Sequence, residues 1–251
     1  MSRHFVALRL GGVLLLAAAS LALVLGAGCA PPDVSAPQDP PASLDGAVAT
    51  GHPLATVAAV EVLEAGGNAA DAAVVAAAML GVVQPSGSGL GGGGFALYRR
   101  AGSERVETLD FRETAPAAFP VATIAATGDV QRLQVGGLAV AVPGEVAGLA
   151  TLAERYGTRP LATLLAPAHR VAEQGFDIDA KLAERLASNR SLLAQFPASA
   201  AIFLESGEPR RRGTRLVQTE LAKTLALLAD RGSAVFYDGP IAEAMVREVE
   251  R

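Results

Sequence analysis

The sequence predicts an α+β domain built in layers, and three observations carry that reading. Two short runs rich in apolar residues, Phe95–Arg99 and Val106–Phe111, are neighbours along the chain with a turn at Ala101-Gly102-Ser103 between them, the pattern of a hairpin. A block of helical stretches follows, where a parallel sheet would require strands alternating with helices. Those stretches end at glycine and restart at polar residues or proline, so the element boundaries are punctuated.

The elements follow in order. Pro53 suits a first helical turn, and Leu54–Glu64 reads as a helix stopped by Gly66-Gly67. Asn68 caps the next helix, with Asp71 three residues on able to answer it from the first turn. That helix runs to about Leu80, alanine-rich and apolar all round, as a helix between two layers must be. Gln84–Gly94 is a glycine-rich loop leading into the hairpin. Leu138–Val142 predicts another strand, ended by Pro143-Gly144. Helices are expected over Glu145–Tyr156, Leu161–Gln174, Asp179–Leu193 and Leu216–Arg231, and a last one from about Ile241.

Ahead of this domain the chain divides into residues 1–28, which read as a signal peptide, and residues 29–45, a proline-rich linker. Arg3 and Arg9 precede an apolar run from Gly11 to Leu25 and the small residues Gly26-Ala27-Gly28. About 15 apolar residues are fewer than the roughly 20 of a bilayer span, so cleavage and export to the periplasmic or extracellular face are expected. Cys29, the only cysteine, excludes an intramolecular disulfide, and its place after small residues is similar to a bacterial lipoprotein processing site. Lipidation at Cys29 would leave the linker to hold the domain, residues 46–251, off a membrane surface. A net charge of −4 and only 4% aromatic residues supply neither phosphate-neutralising patches nor stacking platforms, so nucleic acid is not expected as a partner.

Two motifs could carry chemistry. The run Ser86-Gly87-Ser88-Gly89-Leu90-Gly91-Gly92-Gly93-Gly94 contains a formal dinucleotide fingerprint, but a helix precedes it and a strand follows, the reverse of the order that aims a helix N-terminus at a pyrophosphate. No Gly-Lys-Ser or Gly-Lys-Thr closes it as a phosphate loop. What remains is a backbone that approaches something closely, a neighbouring element or a ligand. The second motif is Asp110-Phe111-Arg112-Glu113-Thr114-Ala115-Pro116. Arg112, delivered at a strand end, presents a planar fork suited to a carboxylate ligand or to a structural ion pair with Asp110 or Glu113. His52 reads as a surface or capping residue and His169 as a solvated helix residue. Neither has metal-ligand spacing, and no metal or organic cofactor is expected.

Taken together, His52-Pro53-Leu54-Ala55, Gly66-Gly67-Asn68-Ala69-Ala70-Asp71-Ala72-Ala73, the glycine run with Phe95, the Asp110–Pro116 motif, Val142-Pro143-Gly144, Tyr156-Gly157 and Phe236-Tyr237-Asp238-Gly239 resemble the start of the gamma-glutamyltransferase (gamma-glutamyltranspeptidase, glutathione hydrolase) family. The resemblance covers residue 46 to the end. It implies the amino-terminal part of a four-layer αββα sandwich of the N-terminal nucleophile hydrolase type, incomplete within these residues. It also implies a precursor that cuts itself into large and small subunits and so exposes a threonine. That threonine would attack the γ-glutamyl amide of glutathione or a relative, and water or an acceptor amino acid or peptide would resolve the acyl-enzyme.

By the same resemblance Arg112 matches the arginine that grips the α-carboxylate of the donor, and Glu113 orients it. No catalytic residue is assigned within these residues, because the Thr-Thr-His type junction that opens the small subunit does not occur among them, and the 251 residues alone are expected to be inactive. One departure is local: Ser86 follows Pro85 where the family usually carries histidine. Two other readings stand beside the enzyme: a non-catalytic, lipid-anchored remnant or binding module, and an acylase of the same family that removes glutaryl side chains from β-lactams.

Overall fold

The computed structural model describes residues 46–128 and 130–250, and the leader, Cys29 and the linker lie outside the described residues. Helix α1 (Pro53–Glu64) opens with proline at its first position, where a missing N–H costs nothing, and with His52 as cap: His52 Nδ1 accepts from the Leu54 N–H at 3.2 Å. His52 therefore caps as expected, but it does so away from the surface. It is 8% exposed, edge-on to Phe176, with Nε2 3.9 Å from Asp179. Burial lowers its pKa more than Asp179 raises it, with Lys181 adding to the lowering, and the neutral ring is the form that can accept through Nδ1.

Gly66 adopts φ +81° beyond α1, a left-handed conformation that a β carbon disfavours. Helix α2 (Ala69–Val83) then starts at a reciprocal capping box: Asn68 Oδ1 accepts from the N–H groups of Ala70 and Asp71, and the Asn68 N–H donates to Asp71 Oδ2 at 2.9 Å. The helix runs three residues past Leu80, because Val82 and Val83 are still buried. It lies at the centre of the fold, in contact with α1, α4 (Glu145–Tyr156) and α5 (Leu161–Gln174), while α9 (Thr219–Arg231) packs on α5. A helix in that position must be apolar on every side, and its sequence is.

The polar exception in α2 is Asp71, 0% exposed. Its carboxylate also accepts from the Thr158 N–H (2.9 Å), the Thr158 hydroxyl (2.6 Å) and the Arg159 N–H (3.2 Å), clamping the α4–α5 connection onto the start of α2. Burial alone would raise its pKa, but the hydrogen bonds from Thr158, Asn68 and Arg159 hold it below the usual 3.8.

Strands β1 (Gly94–Arg99) and β2 (Val106–Phe111) form the expected antiparallel hairpin, with Gly94 opposite Phe111 and Arg99 opposite Val106. Its inner face packs on α4 through the Tyr98–Tyr156 stack, ring centres 4.4 Å apart, and the Tyr156 hydroxyl donates to Glu107 at 3.2 Å. The outer face carries Phe95 (65% exposed) and Leu97 (75%) beside Val106.

Other expectations are corrected. Leu138–Val142 is not a strand: a 3-10 turn occupies Gly137–Ala139, and only Val142 pairs, in a single bridge with Thr114. Helix α3 (Val121–Thr127) escapes the sequence pattern. Asp179–Leu193 breaks at Asn189 into α6 (Ala180–Ser188) and α7 (Arg190–Leu193), because the exposed stretch after Ser188 loses the apolar phase that holds α6 to the core. Four two-residue strands escape the pattern too. β3 (Phe176–Asp177) pairs with β6 (Arg215–Leu216) and, after α8 (Pro197–Phe203), β4 (Leu204–Glu205) pairs with β5 (Glu208–Pro209). Leu216 therefore belongs to a strand, and α9 begins at Thr219 behind Gln218, whose N–H donates to Ala172 O and whose side-chain amide donates to Val82 O. Two helices, α10 (Ala234–Tyr237) and α11 (Pro240–Val249), complete the described chain. His169 is half-buried on α5, in part exposed to solvent.

Candidate functional site

The site is built around the end of β2. Phe111 sits so close to its neighbours that a β carbon on Gly93 or Gly144 would overlap its carbonyl oxygen, and one on Gly148 would overlap its ring. Glycine at these positions lets the loop after α2 and the start of α4 close on the strand end from two sides. The Gly92 carbonyl then accepts from both the Gly144 and the Glu145 N–H, each at 2.9 Å, which satisfies donors that the first turn of α4 would otherwise leave open. The glycine run divides between a close approach to a neighbouring element and an open face. Gly93 packs against β2, whereas no atom lies within 4 Å of a β carbon built on Gly89 or Gly91, which face open space.

That space is a cleft of about 530 Å³ lined by residues 85–89 and 91–93 together with Arg112, Glu113 and Glu145. Arg112 and Glu113, selected from the sequence, are therefore brought together at one wall of it. The Arg112 N–H donates to Asp110 Oδ1 at 2.9 Å, which fixes the backbone as it leaves β2, and the Thr114–Val142 bridge fixes it again just beyond Glu113. The Arg112 side chain is 56% exposed, with Nη1 3.2 Å from Glu113 Oε2. The pair is at ion-pair distance without hydrogen-bond alignment, so Glu113 Oε2 is a buried oxygen with no hydrogen-bond partner. One nitrogen of the guanidinium faces Glu113, and a planar fork with five N–H donors retains capacity for a second carboxylate.

Glu145 also lines the cleft, and the motif reading did not select it. It occupies the first position of α4 and is 8% exposed. Burial pushes its carboxyl above the ordinary value of 4.5, and the neighbouring charge of Glu113 pushes in the same direction. Tyr237 on α10 completes this corner: its hydroxyl oxygen accepts from the Ala147 N–H at 3.0 Å, and its pKa is raised by burial and by Glu145 against that hydrogen bond. The sequence does hold a signal for Glu145. It is in helical phase with Leu149, Leu152 and Tyr156, all buried, so an acid stands at the head of the apolar stripe. Among the described residues no three His, Cys, Asp or Glu side chains converge in a metal-binding arrangement.

The chain is similar to known proteins in sequence and in fold. The gamma-glutamyltranspeptidase family model matches residues 55–251. The glutathione hydrolase proenzyme of Bacillus subtilis (strain 168) is 39% identical over 210 residues, which are 82% of this chain and 36% of that protein. The crystal structure of Helicobacter pylori gamma-glutamyltranspeptidase superposes with a TM-score of 0.78 at 37% identity, over 82% of this chain and 60% of that one. A cephalosporin acylase from Bacillus halodurans superposes with a TM-score of 0.70 at 30% identity, over 82% of this chain and 42% of that one. The chain thus spans about a third of the length of the curated relatives it matches.

Proposed function

The chain belongs to the gamma-glutamyltranspeptidase family, and from that premise we propose that it forms the amino-terminal part of the large subunit of a gamma-glutamyltransferase that cleaves the γ-glutamyl amide of glutathione or a related donor. The observation that carries this reading is the Arg112–Glu113 pair on the wall of a glycine-lined cleft. Arg112 holds the α-carboxylate of the donor through parallel charge-assisted hydrogen bonds, and the charge of Glu113 beside it biases where the guanidinium sits. The nucleophile is a threonine outside these 251 residues, on the small subunit of the same precursor. Its hydroxyl oxygen adds to the γ-carbonyl carbon as its amino group takes the hydroxyl proton, and that proton passes to the amide nitrogen as the C–N bond breaks, so the amine leaves and the acyl-enzyme forms. Water or the amine of an acceptor amino acid or peptide then takes the acyl group. The apolar outer face of the β1–β2 hairpin supports the reading, since the rest of a sandwich would cover Phe95 and Leu97.

The test is to assay the full-length protein on a γ-glutamyl and a glutaryl donor. Release of amine from the γ-glutamyl compound supports a gamma-glutamyltransferase. Turnover of the glutaryl compound alone selects the second reading, an acylase, which the similarity to the cephalosporin acylase favours and whose substrate also offers Arg112 a carboxylate. No turnover of either sinks both and leaves a non-catalytic module.

Export and lipidation at Cys29 belong to the same proposal. Cys29→Ser is expected to move the protein from the membrane fraction to the soluble fraction of the expressing bacterium, with loss of the acyl mass from its amino terminus. An unchanged distribution and mass would remove the anchor from the proposal.

A further inference from the structure

We propose that Glu145 is a positioning residue of the carboxylate subsite, acting on Arg112 through Glu113 and setting the pH above which a donor carboxylate is held weakly. The inference rests on the reading of Arg112 as the group that takes that carboxylate.

The geometry is that of an unbalanced cluster. Of the side chains lining the cleft, Arg112 is the cation and Glu113 and Glu145 are acids. Glu113 Oε2 is buried and lacks an aligned donor although it lies 3.2 Å from Arg112, so this pair is not locked by hydrogen bonding and responds to charge placed beside it. Glu145 is the charge so placed. The backbone N–H groups of Gly144 and Glu145 are both tied to Gly92 O, which holds the head of α4 against the loop, and Glu145 as a whole is 8% exposed there.

The groups that face Glu145 from each packed element are few. Glu113 comes from the segment after β2 and Tyr237 from α10, while Arg112 lines the same cleft. Helix α2 presents Ala78 and Val82, the loop presents Leu90, and α9 presents Leu225, none of which titrates. Among the described side chains lining the cleft Arg112 is the one cation, and the charge that bears on Glu145 is that of Glu113.

The consequence follows from counting charges. With Glu145 neutral, Arg112 balances Glu113 and still attracts a ligand carboxylate. With Glu145 ionised, two acids draw on one guanidinium, and the field at the ligand position turns against an anion. The raised pKa of Glu145 agrees with this picture: the favourable helix N-terminus is outweighed by burial and by Glu113, so the neutral form is favoured more than in an ordinary glutamate. The sign is fixed. Carboxylate affinity is full while Glu145 is protonated and declines as pH rises through its folded pKa.

The probe is L-glutamate as competitor of the donor on the full-length processed enzyme, with its inhibition constant measured from about pH 5 to about pH 8. The wild type is expected to lose roughly fivefold to tenfold in affinity across the range, the size of a coupling near one pKa unit. Glu145→Gln, which keeps the shape and cannot ionise, is expected to abolish the pH dependence. Glu113→Gln removes the neighbouring charge and is expected to move the decline to lower pH, and it decides the matter if the E145Q variant does not process. A decline that persists at the same pH in E145Q, or a wild type without a decline, overturns the proposal. Arg112→Ala is measured in the same series: an inhibition constant it leaves untouched at every pH refutes the carboxylate reading of Arg112, which is a different failure.

Discussion

Replacing Arg112 by alanine in the full-length enzyme is expected to raise the KM for a γ-glutamyl donor by roughly 30-fold to 150-fold, with self-cleavage intact. The estimate comes from truncating one partner of a charge-assisted pair, about 2 to 3 kcal/mol at the lower end of the usual range, with about 1.4 kcal/mol per factor of ten. The lower end applies because the side chain is 56% exposed, so water screens part of the attraction. Arg112→Lys separates charge from shape: an ammonium retains the Coulomb attraction but not the parallel pair of N–H donors, and about tenfold is expected. Kinetics on a γ-glutamyl anilide with precursor processing followed on a gel would check both. An alanine variant with the wild-type KM would place Arg112 outside the site, and its contact with Glu113 would then be a structural ion pair.

The largest effect on stability is expected at Asp71. Asp71→Ala leaves the N–H groups of Asn68, Thr158 and Arg159 and the hydroxyl of Thr158 without their acceptor in a fully buried place. Each buried donor without a partner costs about 1 to 3 kcal/mol, and relaxation of the loop recovers part of the total, so a loss of about 3 to 5 kcal/mol is expected. Asp71→Asn should be only slightly milder, because its NH₂ group must face donors. The pH dependence has a definite sign. The folded pKa lies below 3.8, so the stability due to the ionised form is fully present above the unfolded value and is lost as pH falls through the lower, folded one. The gap between wild type and variant in chemical denaturation should therefore hold constant from neutral pH to about pH 5 and narrow only in stronger acid. A gap that narrowed between neutrality and about pH 5 would mean that another group carries the effect.

Asp71 and Glu145 show where reading the sequence stops. The capping box of Asn68 and Asp71 is legible because it is local: three residues apart, a polar cap and an acid satisfy the first turn whatever surrounds them. That Asp71 also holds residues 158 and 159 depends on α4 and α5 returning to it, a separation of 87 residues for Thr158 that no local pattern reports. Glu145 is legible as the start of a helix, but its burial and its closeness to Glu113 depend on the depth to which the loop, β2 and α4 close on one another.

The sequence by itself determined the α+β class, the hairpin, the caps and stops of α1 and α2, the bodies of α4 and α5, and the ordered motifs that identify the family. These rest on short-range chemistry: periodicity, caps, and glycine where a β carbon does not fit. Tertiary structure alone decided the fate of the weakly patterned stretches. Leu138–Val142 has strand-forming residues, but only Val142 finds a partner, in Thr114, and a strand exists only where another edge accepts its hydrogen bonds. The short pairings among β3 to β6 and the break at Asn189 are set in the same way, by what lies opposite. The cleft belongs to that second class as well. Arg112 and the glycines announce themselves along the chain, whereas the balance of one cation against two carboxyl groups arises only when the end of β2 is packed between the loop and the first turn of α4.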